Sequence, residues 1–100
     1  MTDSTFHALA EPRRREMLRL VRDRPRSVGE IAEHFDISQQ AVSQHLKVLR
    51  DAGLMEVRAD GARRLYGLRP AGLEAVREFL EEFWPERLAR LKQTLEVDDA

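Results

Sequence analysis

A short stretch of this chain concentrates amides, hydroxyls and cations at helical spacing. It runs Ser38-Gln39-Gln40-Ala41-Val42-Ser43-Gln44-His45-Leu46-Lys47-Val48-Leu49-Arg50-Asp51. At about 100° per residue along a helix, Val42, Leu46 and Leu49 fall on one narrow arc. Gln39, Gln40, Ser43, Gln44, Lys47, Arg50 and Asp51 fill the opposite arc, and none of them is apolar. A solvated helix face usually alternates Glu and Lys. Amides, a hydroxyl and cations are the groups that hydrogen-bond base edges and phosphates in a major groove. Gln39, Gln40, Ser43 and Gln44 are the candidate base readers, since Gln can pair bidentately with adenine. Ser38, His45, Lys47 and Arg50 are the candidates for the nucleic-acid backbone. The plainer reading is a polar face with no partner. Under it, Arg50 pairs with a carboxylate or covers core atoms with its stem, and His45, at the edge of the apolar arc, packs.

The flanking sequence is what must hold that helix in place. Thr5 to Ala10 reads as a short helix anchored by Phe6 and Leu9. Pro12 suits a first helical position and restarts a helix that continues through Met17, Leu18 and Val21 to about Asp23, so that 5–23 forms a pair of N-terminal helices. Arg24-Pro25-Arg26 breaks it. Ser27-Val28-Gly29-Glu30 is a capping box opening a short helix whose buried side is Val28, Ile31, Ala32 and Phe35. Asp36-Ile37 is the turn, Ser38 the next N-cap and Gly53 a helix stop. Two helices joined so closely over 27–52 are a helix-turn-helix pattern. Leu54 to Arg58 then alternates like a half-buried strand, Asp60-Gly61 is a hairpin turn signal, and Arg63 to Leu68 is the return strand. The segment 54–68 is therefore a β-wing, with Arg58, Arg63 and Arg64 flanking its tip. Those arginines could meet phosphates or a narrow minor groove, or serve as a cationic strand edge that resists aggregation. Arg63 and Arg64 must point to opposite faces. Tyr66 reads as packing.

From Pro70 a long helix is predicted over 70–96, which Pro85 should kink or end near Phe83-Trp84. Its apolar seam of Leu73, Val76, Leu80, Phe83, Leu88, Leu91 and Leu95 exceeds what a 100-residue core requires and invites a partner helix. Phe6, Leu9, Leu80, Phe83, Trp84, Leu88 and Leu91 are the candidate residues for self-association. The expected fold is thus a single domain over 1–100, mostly α with a small β-hairpin, in the order α-α-α-α-β-β-α.

Charge supports the same division of labour. The formal net charge is −1, but Met1 to Arg69 holds 13 Lys/Arg against 10 Asp/Glu, while Pro70 to Ala100 holds 4 against 8. A phosphate-facing surface therefore belongs to the first two thirds. Cysteine is absent, which excludes disulfides and thiolate metal sites. No apolar run is long enough to cross a bilayer and no signal pattern opens the chain, so a cytoplasmic location and no membrane partner are expected. His7 and His34 are isolated, and a metal site needs convergent ligands. Arg13-Arg14-Arg15 reads as phosphate contact or, slightly better, as ion pairing across a dimer. No nucleophile–base pair, glycine-rich phosphate loop or convergent carboxylate pair suggests an enzyme, and no cofactor or catalytic residue is expected.

In its Phe6-His7-Ala8-Leu9-Ala10-Glu11-Pro12-Arg13-Arg14-Arg15 segment, in Ser38 through Leu54, and in the wing around Asp60-Gly61, the chain resembles the ArsR/SmtB family of bacterial winged-helix repressors over nearly its whole length. The resemblance implies a homodimer formed through the first and last helices. It also implies binding to an imperfect inverted repeat, a pseudo-palindromic double-stranded operator, and repression, including autorepression. Metal-sensing members use cysteines near the start of the helix-turn-helix or His and carboxylate pairs on the last helix. Here Val28, Glu30, Ile31 and Ala32 occupy the first region and no histidine lies in the last. The stretch Phe83-Trp84-Pro85-Glu86-Arg87-Leu88 is similar to a metal-independent subgroup, and no metal is expected. The resemblance names no small-molecule effector. Two other readings compete: a winged helix used for protein contacts without DNA, and a repressor responding to a ligand or metal through a non-standard site.

Overall fold

The computed structural model describes residues 2–84. The chain opens with two short helices, α1 (Thr2–Ala10) and α2 (Pro12–Leu20), followed by a two-residue strand β1 (Arg26–Ser27). Then come α3 (Val28–Ala32), α4 (Gln39–Asp51), strands β2 (Met55–Asp60) and β3 (Arg63–Leu68), a 3-10 turn (Pro70–Leu73) and α5 (Glu74–Glu81). It is a winged helix-turn-helix.

The starts of α2, α3 and α4 are each capped by a side chain the sequence supplies. Glu11 accepts from the Arg14 N–H at 3.1 Å, with Pro12 as the first helical residue. Ser27 and Glu30 complete the reciprocal box at 3.2 and 3.1 Å. Ser38 accepts from the Ala41 N–H at 3.0 Å. The C-terminus of α4 closes in a Schellman arrangement: the Leu54 N–H reaches the Leu49 carbonyl and the Gly53 N–H the Arg50 carbonyl, both at 2.9 Å. Gly53 has φ +78°, a conformation that costs glycine little and other residues more.

Ala8, Met17, Leu18, Val21, Ile31, Val42, Leu46, Leu49, Leu54 and Met55 form one buried core. The apolar arc of α4 is its centre, and Val42, Leu46 and Leu49 are wholly inaccessible.

Several expectations need correction. The sheet has three strands, not two, in the order β1-β3-β2 and antiparallel throughout. The segment taken as a simple break after α2 adds a short strand, pairing Arg26 with Tyr66 and Ser27 with Leu65. Two residues are too few to show any alternation. The hairpin turn lies one residue later than expected. Asp60 pairs with Arg63, so Gly61 and Ala62 are the central residues, and only Gly61 has positive φ, +64°. That is the pattern of a type II′ turn, which asks for glycine at the first central position alone. The N-terminal helices start at Thr2 and end at Leu20, short of Asp23. The helix α3 stops at Ala32, leaving Phe35 half-buried in the turn. The long helix expected over 70–96 begins as a 3-10 turn, becomes α-helical only at Glu74 and ends at Glu81, before Pro85. Leu88, Leu91 and the expected kink near 85 lie outside the described residues.

Arg14 is a buried strut, only 8% exposed. Its Nε donates to the Ala8 carbonyl at 2.7 Å and its Nη2 to the His7 carbonyl at 2.9 Å, so it caps the end of α1. Nη1 lies 3.3 Å from His45 Nδ1 on α4. Arg15 reaches the Leu9 and Ala10 carbonyls at 2.8 and 3.1 Å. Both arginines are thus engaged by carbonyls at the end of α1. A cation is well placed where the carbonyls of a helix end converge. Replacing Arg14 by Met keeps much of the volume but strands those carbonyls. The expected loss is about 1.5–3 kcal/mol of stability, read as a lower denaturation midpoint at fixed protein concentration.

Candidate nucleic-acid interface

The helix α4 begins at a capped N-terminus and is seated by its apolar arc, so its opposite arc projects outward. Gln39, Gln40, Ser43, Gln44, Lys47, Arg50 and Asp51 are all exposed. Among the described residues, the side chains of Gln39, Gln40, Ser43 and Gln44 make no hydrogen bond within the protein. Four neutral hydrogen-bonding groups are thus presented together on a rigid helix, a geometry suited to base edges.

The four candidates for backbone contact divide. Ser38 already accepts from the Ala41 N–H, and its hydroxyl hydrogen is still available to donate. Arg50 is exposed beside the polar arc. Lys47 is exposed but holds Asp51 at 2.8 Å, one turn along. The hydrogen bond from Lys47, partly opposed by desolvation and aided by the charges of Lys47 and Arg50, keeps the Asp51 carboxyl below its ordinary pKa. His45 is half-buried and turned to the scaffold, with Nδ1 against Arg14. It belongs to the support of α4 more than to its polar arc. Glu11 lies in the same neighbourhood. Desolvation works against its ionisation, yet N–H donors from Arg14 and Arg13 and the charges of His45 and Arg13 hold its pKa below the usual value.

In the wing, the register puts Arg58 opposite Leu65 and Arg63 opposite Asp60, so Arg58 and Arg63 share one face of the sheet. Arg64, opposite Ala59, lies on the other face, in line with Tyr66 and Leu68. Arg63 is engaged by Asp60 at 3.5 Å and Glu30 at 3.9 Å. The Ser27 N–H bond holds Glu30 ionised below its ordinary pKa; desolvation opposes this, and the Ser27 side chain, Arg24 and Arg63 reinforce it. Arg58 and Arg64 are exposed and make no ion pair among the described residues. They are the wing arginines that no carboxylate engages among the described residues.

A separate aromatic surface lies where α1 meets α5. Phe79 packs edge-on against Phe6 and Phe83, with ring centroids 5.1 and 5.0 Å apart. Phe79, Leu80, Phe83 and Trp84 are nevertheless 40%, 39%, 61% and 45% exposed. Leu9, half-buried, packs against the core. Among the described residues no three metal-ligating side chains converge, and no helix is long and apolar enough to cross a membrane.

Sequence reasoning overlooked Arg14 as a strut, though the signal was present. Arg14, Met17, Leu18 and Val21 sit at i, i+3, i+4 and i+7, which puts the arginine on the buried stripe of α2.

The sequence profile described as "Bacterial regulatory protein, arsR family" matches residues 11–57. The chain is 42% identical over 96 residues to the HTH-type transcriptional regulator Rv2034 of Mycobacterium tuberculosis, spanning 96% of this chain and 90% of that one. It is 33% identical over 72 residues to the transcriptional repressor SdpR of Bacillus subtilis, spanning 72% and 80%. Relatives named as repressor and as activator match at comparable identity. Among solved structures, the homodimeric winged helix-turn-helix DNA-binding domain Mb0332 of Mycobacterium bovis superposes with a TM-score of 0.65 at 32% identity, covering 78% of this chain and 70% of that one.

The Lys47–Asp51 pair must open before Lys47 can reach a phosphate. Exposed pairs of this kind are worth at most about 1 kcal/mol. Asp51→Asn is therefore expected to strengthen binding to random-sequence DNA, by up to about fivefold, in a titration followed by fluorescence anisotropy. Unchanged or weaker binding would place Lys47 off the DNA path.

Proposed function

Since this chain belongs to the arsR family of bacterial regulatory proteins, we propose that it represses transcription as a homodimer, reading a pseudo-palindromic operator with α4. Membership makes it a DNA-binding transcriptional regulator and not an enzyme. The observation carrying the finer reading is the split of α4: a fully buried arc of Val42, Leu46 and Leu49 beneath an exposed arc of unspent amides. Gln39, Gln40, Ser43 and Gln44 enter the major groove. Ser38, Lys47 and Arg50 flank them toward phosphates, and Arg58 and Arg64 bring the wing to the neighbouring backbone. A protein-docking surface would carry an apolar or aromatic anchor on this arc, and none is there. The exposed aromatic group of Phe79, Phe83 and Trp84, contiguous with Phe6, supplies such an anchor on another side of the molecule, for a second copy of the chain. Two-fold symmetry then puts the paired helices into successive major grooves about 34 Å apart. A dimer lying across a promoter excludes other proteins from it, which is the basis of repression.

Operators selected from random sequence should be inverted repeats. Gln39→Ala should weaken the selected operator by roughly tenfold, corresponding to about 1–3 kcal/mol for a base contact, and leave random DNA unaffected. Lys47→Ala should weaken all DNA alike and lower the salt slope by about one. An equal loss on both DNAs for Gln39→Ala would remove it from base reading. Phe83→Asp should raise the dimer dissociation constant at least tenfold in sedimentation. A variant that dimerises normally would shift the interface elsewhere. A promoter fusion carrying the operator should rise in expression when the gene is deleted; a fall would make the protein an activator.

A further inference from the structure

The turn that ends α4 and the 3-10 turn that leads into α5 touch backbone to backbone. A Cβ built on Gly72 would overlap the Gly53 carbonyl oxygen, come within 2.8 Å of the Gly53 carbonyl carbon and lie 3.2 Å from Leu54 Cα. Gly72 is not in the left-handed region, so alanine fits its backbone conformation and only space forbids it. The same junction is tied by the Arg69 N–H to the Leu54 carbonyl at 3.0 Å and by the Gly72 N–H to the Arg69 carbonyl at 3.0 Å. Gly53 itself is the left-handed residue that ends α4. The helix with the amide arc and the helix with the exposed aromatics therefore share one rigid joint, with no side chain between them to give way.

We propose that Gly72 is a positioning residue which, through its seat on Gly53, sets the separation of the two recognition helices and hence the half-site spacing of the operator. This rests on the dimeric, operator-reading function above. A methyl group at Gly72 must retreat on the order of an ångström to regain ordinary contact distance. Phe79 lies about 10 Å beyond the joint and the start of α4 about 20 Å on the other side. With the aromatic interface held as the pivot, that ångström is a tilt of about 6°, or about 3 Å at the start of α4, about 30 Å from the pivot. Two-fold symmetry doubles it to about 6 Å, between one and two base-pair rises of about 3.4 Å each.

The test uses the full chain and a set of selected operators whose half-sites are moved apart or together by one and two base pairs, together with a single half-site. The wild type should show one spacing optimum. Gly72→Ala should still dimerise in sedimentation and bind the lone half-site within twofold of wild type. Its affinity at the wild-type spacing should fall at least tenfold and its optimum should move by one or two base pairs. A second variant adds no bulk: two glycines inserted between Arg69 and Pro70 keep the Arg69–Leu54 bond but free α5 from the joint. It should bind all spacings within about threefold of one another, and it decides the matter if Gly72→Ala does not fold. Retention of the wild-type optimum by both variants, or by the insertion alone when Gly72→Ala does not fold, overturns the role of the joint while leaving the proposed function standing. A wild type indifferent to spacing overturns the dimeric reading itself, and this inference with it.

Discussion

The burial of Val42, Leu46 and Leu49 is the constraint on which the rest of this structure depends. The three residues lie on one arc of α4 and are wholly withdrawn from solvent. Truncating any of them to alanine would remove about 2–5 kcal/mol for Leu, a large part of the stability of a domain this size. The arc therefore has one rotation about the helix axis at which the core closes. That rotation is also what turns Gln39, Gln40, Ser43 and Gln44 outward. Packing and presentation are one event, because the helical period makes the two arcs inseparable.

Around that arc the molecule uses polar contacts as connectors. Arg14 occupies the edge of the core and touches the end of α1 and the side of α4 at once. The Schellman closure at Gly53 ends α4 and turns the chain so that Leu54 and Met55 re-enter the core. Gly72 then lays the approach to α5 directly on that turn. The element that presents amides and the elements that present aromatics are consequently joined by short, stiff contacts and not by a loop.

Electrostatics is modest and local. The near-neutral chain hides a basic first two thirds, but many of its arginines are committed: Arg14 and Arg15 to carbonyls, Arg63 to Asp60 and Glu30. Lys47 is held by Asp51. Because exposed ion pairs are weak, these partners tune the availability of cations without fixing the fold.

The helix periods, Pro12 as a first helical residue, the caps at Ser27 and Ser38, the stop at Gly53 and the two arcs of α4 were all legible in the residue order. Each depends on side chains within a turn or two of one another. So was the family resemblance, carried by the same local motifs. The third strand, the one-residue offset of the wing turn, the partners Arg14 meets on α1 and α4, the turning of His45 to the scaffold and the seat of Gly72 were not. Arg26 has no pattern of its own and becomes a strand only because Tyr66 lies beside it. His45 faces Arg14 from 31 residues away. Gly72 reads as an ordinary small residue until the Gly53 carbonyl is found where its side chain would be. Local hydrogen bonding and periodicity follow from neighbours in the chain and determine what each segment is. Contacts between segments depend on how several faces close over one core at once, and only the packed structure decides them.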